Sequence, residues 1–105
     1  MKRSRMCAHD GPRLFLPLAV LERIDRLCLA YEEAWRAGLV PDTKSYLSHI
    51  RGLERQVLLH ELLVLELDHR SRRGETLSVD EYRLRFHDDV SVVDAAFAKV
   101  RRLGP

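Results

Sequence analysis

Two stretches of this chain hold residue types that could do chemistry. His60-Glu61 opens the pattern in which two histidines one helical turn apart grip a zinc ion and the glutamate activates its water. The second ligand position is Val64, so the pattern is broken. The other stretch, His69, Arg70, Arg72 and Arg73, is a cluster of cations; with Arg83, Arg85 and the basic first residues it could form a patch for phosphate or an acidic partner. A plainer account competes with it, because cations in the last turn of a helix complement the macrodipole while staying in water. None of His9, His49, His60, His69 and His87 stands at a ligand spacing, and they read as surface or packing residues.

Cys7 and Cys28 make neither a disulfide framework nor a metal pair, which suits a reducing, cytoplasmic setting. A nucleophilic cysteine needs a base and an electropositive, accessible surrounding. Cys28 instead falls on the inward stripe of a helical pattern, as a small core residue does. No catalytic, cofactor-binding or metal-ligating residue can be assigned on these grounds. The expectation is a non-enzymatic protein with no cofactor.

The elements that carry these residues are helical. Between Leu53 and Leu67 nine of fifteen residues are apolar, and at 100° per residue they spread around the whole cylinder. A helix that is apolar nearly all round is packed by neighbours on several sides, so residues 53–73 should be the central helix of a small all-α domain. The stretch is too short and too charged to span a membrane.

The 105 residues suffice for one domain, with 46% apolar and 32% charged residues. The net charge is +2. Residues 1–13 hold Lys2, Arg3, Arg5 and Arg13 against Asp10, which leaves residues 14–105 at −1. A body so close to neutral lacks the field that nucleic acid requires. Residues 1–13, with Gly11-Pro12 and almost nothing apolar, read as a flexible basic tail, and residues 14–105 as a single helical domain. The tail and the apolar run 14–21 loosely mimic a signal peptide, but Pro17, Glu22-Arg23 and the lack of a small-residue cleavage site speak against one.

In chain order, a first helix begins near Pro17 and turns Val20, Leu21, Ile24, Leu27, Cys28, Tyr31 and Trp35 inward. Glu22/Arg26 and Glu32/Arg36 are placed for pairs on its wet side, and Gly38 and Pro41 stop it. A short helix capped by Asp42 carries Tyr46, Leu47 and Ile50; Gly52 breaks it, and the central helix runs to Gly74. Ser78-Val79-Asp80-Glu81 is a capping box, followed by a short helix presenting Val79, Tyr82 and Phe86. A last helix places Val93, Phe97, Val100 and Leu103 on one side.

Matches recur at a spacing of 36 residues: Gly38 with Gly74, Asp42 with Ser78, Tyr46 with Tyr82, Ile50 with Phe86, and Leu27, Leu29 and Tyr31 with Leu63, Leu65 and Leu67. The chain is thus expected to be a compact bundle of about five helices built from two helix–loop–helix units that superpose over 27–50 and 63–86.

The strings YEEAWRAGLVPDTKSYL and LLHELLVLELDHRSRRGETLSVDEYRLRF resemble the helical accessory segment that precedes the catalytic domain in planctomycete serine/threonine protein kinases. The likeness covers roughly residues 27–97. It runs through Trp35-Arg36-Ala37-Gly38, Pro41, Tyr46-Leu47, residues 61–67, residues 72–75 and residues 81–86. His87 departs from the proline usual in that family. The sequence stops at Pro105, where a linker and kinase would follow there, so the chain is expected to be either a free-standing relative or an excised piece. The kinase parts themselves are absent: there is no Gly-rich loop, strand lysine or Asp-Phe-Gly, and His69-Arg70-Ser71 lacks the aspartate of a catalytic loop.

The resemblance implies a non-catalytic protein-interaction or regulatory module associated with kinase signalling. A protein partner is expected, and a homo-oligomer is left open. No membrane is expected, nor nucleic acid except weakly through the tail. The alternative is a small helical nucleic-acid-binding protein, for which Arg70, Arg72, Arg73, Arg83 and Arg85 would be the surface.

Overall fold

A computed structural model describes residues 15–103, with the side chain of Leu103 left aside. The basic tail with Cys7 and His9, the inward placement of Leu103 and the closing Gly104-Pro105 lie outside the described residues. Among the described residues the chain is all-α, with five helices. They are α1 (Leu18–Arg36), α2 (Thr43–Tyr46), α3 (Gly52–Arg72), α4 (Val79–Arg85) and α5 (Val90–Leu103), and a 3-10 turn at His87–Asp89 leads into α5.

Each boundary has a local cause. Pro17 precedes α1, where its missing N–H removes nothing, and its carbonyl accepts from Val20 and Leu21 at 3.0 Å. The Asp42 carboxylate caps α2 by accepting from the Lys44 N–H at 3.2 Å, and the Ser78 hydroxyl caps α4 by accepting from the Glu81 N–H at 3.3 Å. α1 and α3 end on glycines at φ +86° and +85°, a left-handed conformation that a Cβ would strain although nothing lies within 4 Å to obstruct one.

α3 runs through the middle and packs against α1, α2 and α5, which is why its apolar residues surround it instead of forming one stripe. Val57, Leu58, Leu59, Leu62, Leu63 and Leu67 are all buried. They meet Ile24, Cys28, Tyr31 and Trp35 of α1, Leu47 after α2, Tyr82 and Phe86 around α4, and Val93 and Ala96 of α5. No helix of the described residues is long and apolar enough to cross a membrane.

The 36-residue repeat recurs in the glycine stops and the capped helix starts, but α2 spans four residues and α4 seven, and the repeat fails in the core. The residue after each glycine donates to a carbonyl five positions back, Leu39 to Ala34 at 3.0 Å and Glu75 to Arg70 at 3.1 Å. The side chains part company. Tyr46 is half-buried and meets Tyr31 edge-on at 5.1 Å, whereas Tyr82 is buried, meets Phe97 at 5.4 Å and hydrogen-bonds a carboxylate. Leu29 is 54% exposed, whereas its match Leu65 packs against the core. α3 is covered on several sides while α1 is covered on one, so equivalent positions face different surroundings. Of the two pairs expected on α1, Glu32–Arg36 forms at 3.2 Å, but among the described residues no Glu22–Arg26 ion pair does, and Arg23 instead reaches across to Glu54 of α3 at 2.7 Å.

Leu62 and Leu63, 0% and 1% exposed, have elements on several sides that limit collapse around a cavity. Truncating either to alanine should cost about 2–5 kcal/mol, a large part of the roughly 5–15 kcal/mol typical of a domain. Urea denaturation measures it; a loss below about 1 kcal/mol would show that α3 is peripheral.

Candidate functional site

The chemistry-bearing residues of the chain converge on Glu66, a carboxylate only 1% exposed in the middle of α3. An ionised group so placed must replace every water it has lost. Tyr31 of α1 donates to Oε1 at 3.1 Å, and the hydroxyl of Thr43, the first residue of α2, lies 2.7 Å from the Tyr31 oxygen and 3.2 Å from Oε1, joining the two in one hydrogen-bonded cluster. Tyr82 of α4 donates to Oε2 at 2.5 Å. Arg85, the last residue of α4, completes the shell as a fork, with Nη1 to Oε2 at 3.0 Å and Nη2 to Oε1 at 3.2 Å. The Arg70 guanidinium, one turn further along α3, stands 3.5 Å from Oε2.

Burial by itself pushes the Glu66 carboxyl up. Hydrogen bonds from Arg85 and Tyr82, and the charges of Arg85 and Arg70, outweigh it and hold the group below the usual carboxylate range. Burial and the same carboxylate push the Tyr31 and Tyr82 phenols well above their ordinary value of 10.0. With both oxygens occupied and solvent excluded, Glu66 in this arrangement anchors three other helices to α3 and offers no open position to a substrate.

The five arginines of the sequence-level patch are each within 4 Å of a carboxylate. Arg70 and Arg85 turn toward Glu66. Arg72 pairs with Asp68 at 3.0 Å, Arg73 with Glu75 at 3.6 Å, and Arg83 with Asp94 of α5 at 2.9 Å. Arg70 and Arg73 also lie over the buried Trp35 ring, 5.9 and 5.8 Å from its centre, and His69 stacks on it at 5.7 Å. The basic end of α3 is thereby joined to the end of α1. His49 and His87 are exposed, and Cys28 is buried in the core. Among the described residues no group of three or more His, Cys, Asp or Glu could hold a metal ion.

Two open grooves flank α2. One, of about 310 Å³, lies between the short helices and is lined by Lys44, Ser48, Arg55, Arg85, Phe86 and the 3-10 turn, among others. The other, of about 480 Å³, is mostly apolar, with Leu27, Tyr46 and Ile50 rimmed by Arg23 and His49. Ser48 lines both.

The sequence reading missed Glu66, Thr43 and Lys44. For Glu66 a signal existed: a carboxylate on a helix that is apolar all round must be buried, and a buried carboxylate must find donors. For Thr43 and Lys44 no local signal existed, since their roles depend on what α2 is folded against.

The signs of these shifts fix a pH profile. Because the folded Glu66 is more acidic than the ordinary 4.5, its contribution is present above pH 4.5 and is lost as pH falls from there through its folded value. The tyrosines, raised in the fold, contribute below pH 10 and lose that contribution as pH climbs above it. Glu66→Gln should remove most of the acid limb and lower stability at neutral pH by about 1–3 kcal/mol, since it leaves the Arg85 guanidinium without its counter-charge. Arg85 is 38% exposed, which keeps the effect below that of a fully buried pair. Denaturation followed from pH 2 to 11 reads both limbs, and an unchanged acid limb in the variant would show that Glu66 is not its source.

No protein-family model matches this chain, and no curated protein or solved structure matches it either.

Proposed function

We propose that this protein is a non-enzymatic protein-interaction or regulatory module, cytoplasmic, and associated with serine/threonine kinase signalling. The kinase association is carried by the string resemblance alone. The interaction reading is supported by one observation above all: the arginines at 70, 72, 73, 83 and 85 are each matched by a carboxylate of the chain itself. A surface that neutralises phosphates needs clustered cations left free of such partners. What the described residues leave open instead is a pair of grooves around α2 and several exposed apolar side chains, Leu39, Val40 and Leu84 among them. Mixed apolar and polar surface of this kind is the usual material of a protein interface.

The nucleic-acid reading is kept as the rival, on the strength of the basic first residues. A chain lacking residues 1–13, titrated with duplex DNA and with single-stranded RNA at physiological ionic strength, should show no sub-micromolar binding, where screening acts over about 8 Å. The full chain should bind weakly at low salt and lose that binding as salt rises, through counterion release. Sub-micromolar binding by the truncated chain would refute the interaction reading.

A further inference from the structure

The groove between the two short helices holds charges that are not equally available. Arg55 is bound to Asp89 at 2.9 Å, and that aspartate is 12% exposed, so the two neutralise each other at the groove wall. Asp88, 86% exposed, also lines the groove and lies 3.2 Å from Nδ1 of His87, a contact that is an ion pair only when that imidazole is protonated. Arg85 faces down to Glu66 through Nη1 and Nη2. A guanidinium carries further N–H groups beyond the two in such a fork, and the Arg85 side chain is 38% exposed.

Lys44 differs from all of these. Among the described residues no carboxylate lies within 4.0 Å of its ammonium, which instead stands 5.5 Å from the centre of the Phe86 ring. Arg85 lies over the same ring at 4.8 Å. Two cations therefore converge on one buried aromatic ring: Lys44, with no counter-ion among the described residues, and Arg85, whose charge is matched by Glu66 but which keeps N–H groups outside that fork.

From this arrangement we infer that the groove docks an acidic segment of a partner protein, whose carboxylate side chain is received by Lys44 and Arg85 beside Phe86. The inference rests on the interaction-module reading and names the chemistry of the partner. Lys44 selects the occupant: a neutral apolar segment laid over it would leave its ammonium desolvated and unpaired, whereas a carboxylate satisfies it. The groove is open, which suits a length of extended chain more than an enclosed small molecule. Its neighbour across Ser48, lined by Leu27, Tyr46 and Ile50, gives an apolar residue of the same segment a place to go.

The test uses the full chain, labelled with nitrogen-15, and three probes. The first is a capped alanine-based peptide carrying glutamates and leucines. The second is the same peptide with glutamine in place of glutamate, and the third is an oligo-dT strand. The expected result is that the glutamate peptide moves the amide signals of Lys44, Leu47, Ser48 and Phe86, and that the glutamine peptide binds at least tenfold more weakly. Lys44→Glu should lower affinity about tenfold or more, a change of 1.4 kcal/mol, with thermal stability unchanged because Lys44 is exposed and ion-paired to nothing among the described residues. Shifts that map elsewhere, or equal binding by Lys44→Glu, would overturn the groove assignment while leaving the interaction module intact. Tighter binding of oligo-dT than of peptide at the groove would overturn both.

Discussion

Glu66 is the constraint on which the arrangement of this protein depends. A carboxylate in an apolar interior has lost the water that stabilised its charge, and the fold must return that stabilisation from its own donors. The donors come from α1, α2 and α4, the three helices that have to be positioned around α3. Tyr31, Thr43, Tyr82 and Arg85 can reach one pair of oxygens only if all three helices stand where they do. Dispersion and apolar burial hold α3 against α1 and α5 over long contacts. α2 and α4, four and seven residues long, are too short to be held that way alone, and the polar shell around Glu66 supplies their register.

The same geometry settles how the surface is charged. Drawing Arg70 and Arg85 toward Glu66, and matching Arg72, Arg73 and Arg83 to Asp68, Glu75 and Asp94, turns a run of basic sequence into a set of local pairs. Solvent-exposed pairs of this kind contribute little stability each. Their larger consequence is for recognition, since they remove the free cations that a polyanion would need. Lys44 stands apart from this pairing, and it does so beside a groove.

The 36-residue repeat shows how backbone punctuation and core chemistry separate. A glycine in the left-handed region, followed by a capped short helix with an aromatic one turn later, recurs in the two halves, although α2 stops after four residues and α4 runs for seven. What each path then meets is set by the other elements. Tyr82 finds a buried carboxylate, while the equivalent Tyr46 finds the edge of Tyr31.

The sequence by itself determined the five helices, the glycine stops of α1 and α3, the caps of α2 and α4, and the central place of α3, because these follow from side chains three or four residues apart or from a single residue's backbone preference. It misplaced the end of α2, which stops at Tyr46 short of Leu47 and Ile50, and Gly52 opens α3 instead of breaking α2. It also determined that Trp35, Cys28 and Tyr82 belong to the core, since helical periodicity decides which face of a helix turns inward. The tertiary structure alone decided the partners of Glu66, which lie 16 to 35 residues away in the chain, and the pairing of Arg23 with Glu54 in place of any helical neighbour. It alone decided that Arg85 reaches Glu66 and that Lys44 is left without a carboxylate among the described residues. The physical reason is range. Helix formation and capping are local and can be read along the chain, whereas the pairing of buried charges depends on which distant residues the packed helices bring within about 3 Å of one another.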